Sequence, residues 1–404
     1  MFSAATKQFI VRHRHDDVRH LALSAKTSRE PDVDLPAAII QIAGRQIIKD
    51  KLPSWHETDD LVYPQKLSLE QCSSEKTAHY KASLVAGDSF VDLTGGFGVD
   101  CAYISRDFRE AVYVEQQPDL CDIARHNFPL LQLKHISVVN DQAEHYLECM
   151  KKPVDCIYLD PARRSEKGKK VVAISNCEPD INRIKELLWE KTGCILIKLS
   201  PLLDIRFALQ SLPETSDIHV VSVENECKEL LFLLKKGWNE EPSIHCVNFI
   251  RNNAQSSFVF KKTKEKETLA EYTSEVGKFL YEPNASLLKA GAYKLIASHY
   301  QLQKLHPDSH LYTTSQLIAD FPGRCFEVQA VSSFNKTELR TKLETIKQAN
   351  LSIRNFPLTV DELKKKLRLK DGGNKYLFAT TLNNGKRILI RGELKTKTEE
   401  YTEL

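Results

Sequence analysis

The stretch Phe90-Val91-Asp92-Leu93-Thr94-Gly95-Gly96-Phe97-Gly98-Val99-Asp100 decides how this chain folds. An apolar run enters a short glycine turn, and a helical pattern leaves it through Val99, Tyr103 and Ile104. Strand, tight turn and helix in that order open nucleotide-binding α/β sheets. Gly96 and Gly98 let the backbone bend sharply and let a ligand lie directly against it. A glycine turn says little alone; its weight comes from the residues downstream of it.

Downstream the pattern is regular. Apolar runs recur at 90–93, 111–114, 136–139, 156–159 and 194–199, mostly separated by helix-compatible segments. That alternation predicts a parallel, doubly wound sheet. A sixth run at 218–223 is succeeded by another at 230–234, joined through Asn225-Glu226-Cys227. So short a link cannot hold a crossover, so these two runs form an antiparallel hairpin. Parallel strands closed by a hairpin resemble the α/β, Rossmann-like sheet of class I S-adenosylmethionine-dependent methyltransferases.

Carboxylates stand at the C-terminal ends of successive strands, where open α/β sheets bind ligands. Asp92 ends the first, and Glu115 ends the second, 17 residues after Gly98, a spacing suited to gripping ribose hydroxyls. Asp141, beside Gln142, follows the third and is placed to accept from an adenine amino group. Asp160 ends the fourth. The cofactor-binding set is therefore Asp92, Thr94, Gly95, Gly96, Gly98, Glu115, Asp141 and Gln142, with Gln71 added from the preceding helix. A nicotinamide dehydrogenase is the competing reading of the same layout. Cys101 stands where its glycine pattern needs Gly or Ala. Asp92 before the turn would also repel a pyrophosphate, yet it would hold the ammonium of S-adenosylmethionine. Charge favours the methyl donor.

Asp160-Pro161-Ala162-Arg163-Arg164 resembles the turn that amine methyltransferases use to present oxygen acceptors to the substrate nitrogen. The resemblance implies catalytic roles for Asp160 and Pro161, chiefly by positioning, and Arg163 beside them is taken as the third catalytic residue. Ala162 and Arg163 replace the usual Pro and aromatic, and a guanidinium plane can also stack on a base. The same turn is similar to one in RNA uracil-C5 methyltransferases, but that chemistry needs a cysteine nucleophile after the fifth strand. Lys198-Leu199-Ser200-Pro201 has leucine at that place, so nitrogen or oxygen methylation is expected. Lys198, Arg164 and the charged run to Lys170 are read as substrate contacts.

Composition sets the bounds. The chain has 404 residues, 42% hydrophobic and 27% charged, enough for several ordinary globular domains. No apolar run approaches the roughly 18 residues that span a bilayer, and no secretory signal is apparent. The ten cysteines contain no C-x-x-C pair, which argues against zinc or iron–sulfur sites and for reduced thiols in a cytoplasmic protein. His13, His15, Asp16, Asp17 and His20 read as a solvated face, so no metal is expected. From Val331 onward there are 16 Lys and Arg against 9 Asp and Glu, an excess that suits a polyanion partner.

Four regions are expected: a helical N-terminal region over 1–67, the methyltransferase domain over 68–267, and small domains over 281–330 and 331–404. One helix is expected from a capping signal at Ser68 through Thr77 to Val85, a hairpin within 243–260, and a charged linker over 261–267. The unit from Tyr281 reads as helix, short helix and a strand at 325–331. The last reads as helix 336–348, strand 351–355, basic helix 360–370, then a hairpin about Asn383-Asn384-Gly385. This order resembles a THUMP-like domain following a small ferredoxin-like domain. THUMP domains bind RNA, so the resemblance implies an RNA partner, tRNA or rRNA, contacted by Lys364, Lys365, Lys366 and Arg368. The expected activity is methylation of a base nitrogen in RNA. The alternatives are a non-catalytic RNA-binding or assembly protein on the same scaffold, and methylation of a protein or small molecule.

Overall fold

Apolar runs that can be buried on both faces form central strands, as at Cys156–Leu159, where all four residues are buried. The computed structural model describes residues 2–24, 30, 32–163, 174, 177–250, 254–335, 337–338, 341 and 346–395. It divides into two units, 1–216 with 231–240 and 217–230 with 241–404.

The first unit holds five parallel strands: β1 Ser89–Asp92, β2 Glu110–Glu115, β3 Ile136–Asn140, β4 Cys156–Leu159 and β5 Cys194–Leu199. Their order is β5-β4-β1-β2-β3. The chain winds outward from β1 to β3, then returns to place β4 on the other side of β1. The β1/β4 boundary is therefore the switch point at which such sheets open a crevice. The Rossmann-like sheet expected from the sequence is present. Ahead of it, helix Leu35–Ile48 starts where the Asp34 side chain accepts from the Ala37 N–H at 3.1 Å.

The predicted single helix over 68–85 is two helices, Lys66–Gln71 and Glu75–Ala82. Lys51 Nζ donates to the Leu69 and Glu70 carbonyls at 2.8 and 2.9 Å, satisfying the end of the first. The Ser74 hydroxyl then accepts from the Thr77 N–H at 3.3 Å and starts the second. Ser68 is inside the first helix rather than at its cap.

The expected hairpin is formed by β6 Thr215–Val223 and β7 Glu226–Lys235. Its turn residues Glu224 and Asn225 both have positive φ, +50° and +66°, as a two-residue turn between twisted strands requires. Asn225 is held there: its N–H donates to Asn248 Oδ1 at 3.1 Å and its Oδ1 accepts from the Ala285 N–H at 2.8 Å.

In the second unit β8 Ser243–Phe249 pairs parallel to β6 and antiparallel to β9 Gln255–Phe260, giving the second expected hairpin. A further sheet comes next, from β10 Phe279–Pro283, β11 Tyr312–Thr314, β12 Gly323–Ser333, β13 Asn350–Arg354, β14 Lys375–Thr381 and β15 Arg387–Lys395. With the short edge strand Gln303–Lys304 it has seven strands, ordered from that edge as β11-β10-β12-β15-β14-β13. Helix Val360–Leu367 crosses between the parallel β13 and β14, opened by a capping box of Thr359 and Glu362. Leu363 on its inner face packs with Leu377, Ala379 and Leu389.

Two expectations are corrected here. The segment from Tyr281 opens in a buried strand, Phe279–Pro283, before the two expected helices, Ala285–Ala290 and Tyr293–His299. The predicted linker contains helix Lys262–Glu267, whose Glu265 is buried. The Glu265 carboxylate accepts from the Tyr293, Lys294 and Leu295 N–H groups at 3.1, 2.8 and 2.9 Å, capping helix Tyr293–His299. The predicted helix 336–348 falls largely outside the described residues. Among the described residues no helix is long and apolar enough to cross a membrane.

Glu265→Ala strands three helical N–H groups and should lower stability by about 1–3 kcal/mol in urea denaturation. Glu265→Gln, which keeps one acceptor oxygen, should lose less. Equal stability of all three proteins would show that the cap contributes nothing.

Candidate active site

At the end of β1 the Asp92 side chain turns back on its own chain. Its Oδ1 accepts from the Thr94 N–H at 2.9 Å. The Thr94 hydroxyl oxygen in turn accepts from the Asp160 N–H at 2.6 Å, tying the β1 turn to the end of β4. Gly95 must be glycine, because a Cβ there would stand 2.2 Å from the Tyr113 ring. Gly98 has φ +86° and heads the helix Val99–Ile104. The Tyr113 hydroxyl donates to the Gly96 carbonyl at 2.5 Å, fixing the turn from β2.

Glu115 is buried, and each of its oxygens accepts one backbone N–H: Gly96 at 2.8 Å and Gln117 at 2.8 Å. Those two bonds hold the carboxylate against the glycine turn and leave it acceptor capacity. Asp141 follows β3, and its Oδ1 accepts from the Gln142 N–H at 2.8 Å. His145 Nδ1 lies 2.7 Å from Asp141 Oδ2, and that carboxylate raises the pKa of the imidazole above its ordinary value. Gln142 precedes helix Ala143–Cys149 with its side chain exposed, and Gln71 is exposed at the end of its own helix.

Asp160 follows β4, and Pro161 beside it is buried. Lys198, near the end of β5, forms a short ion pair with Asp160 and lies 3.7 Å from Asp100. Asp100 is a member of the site that the sequence does not mark. It accepts from the Tyr158 hydroxyl at 2.7 Å and the Ser73 hydroxyl at 2.8 Å, and Lys81 Nζ is 3.2 Å from its other oxygen. The Ser73 hydroxyl is thus engaged by both Asp100 and Lys81. No sequence signal marks Lys81, which reads as one more helix lysine. Tyr158 is marked only by standing two residues before Asp160 on a strand.

The backbone of Arg163 pairs with Cys177 in a two-residue ribbon. The Arg163 side chain, Arg164 and the charged run to Lys170 lie outside the described residues.

The four acids differ in charge environment. Burial pushes the Asp92 carboxyl well above the ordinary carboxylate range, against the Thr94 N–H and with help from Asp100, Asp160 and Glu115. Burial acts the same way on Asp100, but Lys81, Lys198, Tyr158 and Ser73 together hold its carboxyl below the ordinary value. No ion pair to Asp92 is present among the described residues. A buried carboxylate without a cation, under a turn that approaches its ligand closely, fits a cationic aminoacyl group and not a phosphate. The donor set thus fits S-adenosylmethionine.

In the second unit Lys365, Lys366 and Arg368 are exposed on and just after helix Val360–Leu367. Lys364 instead pairs with Asp371 at 2.6 Å, and Lys366 Nζ sits 4.5 Å from the centre of the Phe334 ring.

Gly95→Ala should displace Tyr113 and destabilise the protein by about 1–3 kcal/mol, visible as a lower urea midpoint. A raised folded-state pKa at Asp92 stabilises at low pH and loses that contribution as pH rises through it. Asp92→Asn cannot ionise, so it should lose less stability than the parent as pH rises above the ordinary carboxylate pKa of about 4. Parallel stability–pH curves would contradict the raised value.

Residues 75–186 match the family described as conserved hypothetical protein 95. Residues 279–322 match a ferredoxin-like domain and residues 323–393 a THUMP domain-like family. The crystal structure of a Porphyromonas gingivalis W83 protein assigned as a methyltransferase is 33% identical in sequence, with a TM-score of 0.85. That likeness covers 98% of this chain and 100% of the other. An uncharacterised S-adenosylmethionine-dependent methyltransferase of Mycobacterium tuberculosis is 21% identical over 308 residues, 75% of this chain and 80% of that protein. The chain belongs to the class I S-adenosylmethionine-dependent methyltransferases that carry a ferredoxin-like and a THUMP-like domain after the catalytic sheet.

Proposed function

We propose that this methyltransferase acts on a base nitrogen of RNA, in tRNA or rRNA. The observation that carries the reading is the THUMP domain-like match over 323–393, with an exposed basic helix inside it. THUMP domains elsewhere bind RNA, and Lys365, Lys366 and Arg368 supply cations that can replace counterions on a phosphate backbone.

In this reading S-adenosylmethionine, when bound, supplies a methyl group activated by its sulfonium. Asp92 takes the donor's ammonium, and Glu115 its ribose hydroxyls. Asp141 and Gln142 take the adenine edge, with Gly95, Gly96, Gly98 and Thr94 forming the floor. Gln71 is assigned to the same ligand from outside the turn. Asp160 and Pro161 face the acceptor, and a carboxylate there orients an amine N–H so that the nitrogen lone pair points at the methyl carbon. Arg163 and Arg164 are assigned to the base and its phosphates. The lack of a cysteine among Lys198-Leu199-Ser200-Pro201 favours nitrogen over pyrimidine carbon as the acceptor.

Bulk RNA from a strain lacking the protein, incubated with the protein and methyl-labelled donor, should yield one labelled nucleoside carrying the label on a base nitrogen. Label on carbon, on protein, or nowhere would overturn the substrate assignment. Calorimetry should detect donor binding to the parent, weakened at least about ten-fold, or ~1.4 kcal/mol, by Asp92→Ala. Replacing Lys365, Lys366 and Arg368 together by Glu should weaken RNA binding and flatten its dependence on salt. Lys364, already paired with Asp371, should contribute less than its neighbours.

A further inference from the structure

Below the acceptor carboxylate runs a line of alternating charges that donor binding does not use. Lys81 is fully buried, and its Nζ donates to Ser73 Oγ at 3.1 Å and faces Asp100 Oδ1 at 3.2 Å. Asp100 Oδ2 accepts from the Tyr158 and Ser73 hydroxyls and lies 3.7 Å from Lys198 Nζ. Lys198 in turn grips Asp160. Exposure rises along the line: the side chains of Lys81, Asp100, Lys198 and Asp160 are 0%, 10%, 13% and 37% accessible. The inner end is locked, and the outer end opens toward solvent.

A buried ion pair repays its desolvation poorly, so stability alone is a weak reason for this arrangement. Geometry is a better one. An ammonium is a point charge on a flexible four-carbon stem, and by itself it orients nothing. Here two anions on different elements pin Lys198. Asp100 comes from the first turn of the helix after the glycine loop, and Asp160 from the end of β4. Asp100 is itself immobilised by two hydroxyl donors and a buried cation, so the direction of the Lys198 ammonium is set from below.

We propose that Lys198 is a positioning residue of the methyl-acceptor site. It holds Asp160 as an oriented carboxylate, with Asp100 and Lys81 as the fixed counter-charges behind it. The proposal rests on the reading of Asp160 as the acceptor-facing group. During transfer the acceptor nitrogen bonds to the methyl carbon as the carbon–sulfur bond breaks, its electron pair going to sulfur. The N–H proton, made acidic by that step, passes to the free oxygen of Asp160 and then to water. Lys198 keeps its own proton throughout and restrains the carboxylate during the transfer. It is therefore assigned to positioning Asp160 rather than to the direct substrate contact that its place in the sequence suggested.

Two measurements test this. Lysine reactivity needs no substrate: reductive methylation read by mass spectrometry should modify Lys198 much more slowly than the exposed Lys365. Asp160→Asn or Asp100→Asn should speed modification of Lys198 about ten-fold. A Lys198 that reacts as fast as Lys365 in the parent overturns the proposal. The second measurement uses bulk RNA and labelled donor. Lys198→Ala should lower kcat about 100-fold with KM changed less than about two-fold, since the loss is of orientation. Ethylammonium or propylammonium in the assay should restore part of that kcat in a saturable way, which a merely structural residue would not show. Donor affinity by calorimetry should be unchanged. Asp160→Ala with a near-normal kcat would overturn the acceptor reading, and the proposal with it. An inactive Asp160→Ala beside a Lys198→Ala that changes KM alone would overturn the proposal and leave the acceptor reading standing.

Discussion

Four carboxylates crowd the end of one sheet, and the site depends on how their mutual repulsion is relieved. Glu115 is held by two backbone N–H groups, Asp100 and Asp160 by lysines, and Asp92 by the Thr94 N–H. Asp100 and Asp160 thus face cations, whereas Asp92 has no ion pair among the described residues, and the proposal that it takes the donor's ammonium rests on that difference. The turn beside them is close-packed, because Tyr113 fills the space under Gly95 and Asp92 itself is buried.

The parts that were legible in the sequence share one property: they interrupt a pattern. Asp92, Glu115 and Asp160 each end or follow an apolar run, and Asp141 follows another, so the strand ends announced themselves. The hairpin of β6 and β7 was legible because a short link forbids any other connection. The hidden members conform to their surroundings. Tyr158 sits in an apolar run and reads as core, which it also is. Lys81 occupies a polar helix with no sign that it is fully buried, because only the packing of that helix against helix Val99–Ile104 brings Asp100 to it.

The same logic accounts for the misread segments. Lys262–Glu267 is charged at almost every position and has no apolar face, so it resembles a tether. Its helix is anchored by a polar contact, the Glu265 cap, which hydrophobic periodicity cannot detect. The break between Gln71 and Glu75 is hidden because the first helix ends on a contact from Lys51, distant in sequence, before Ser74 caps the second. In each case a long-range polar contact overrides the local pattern.

Strand β12 has a consequence for how the C-terminal part of the chain behaves as a material. It pairs with β10 on one side and β15 on the other, although β10 lies in the segment that matches the ferredoxin-like family and β15 in the THUMP-like one. Two evolutionary modules thus share one ladder of hydrogen bonds, and their denaturation is coupled through it. Cutting the chain at the boundary between them would not release two independent pieces. It would unzip the middle of a sheet and leave a bare, sticky margin of unpaired amides on each fragment.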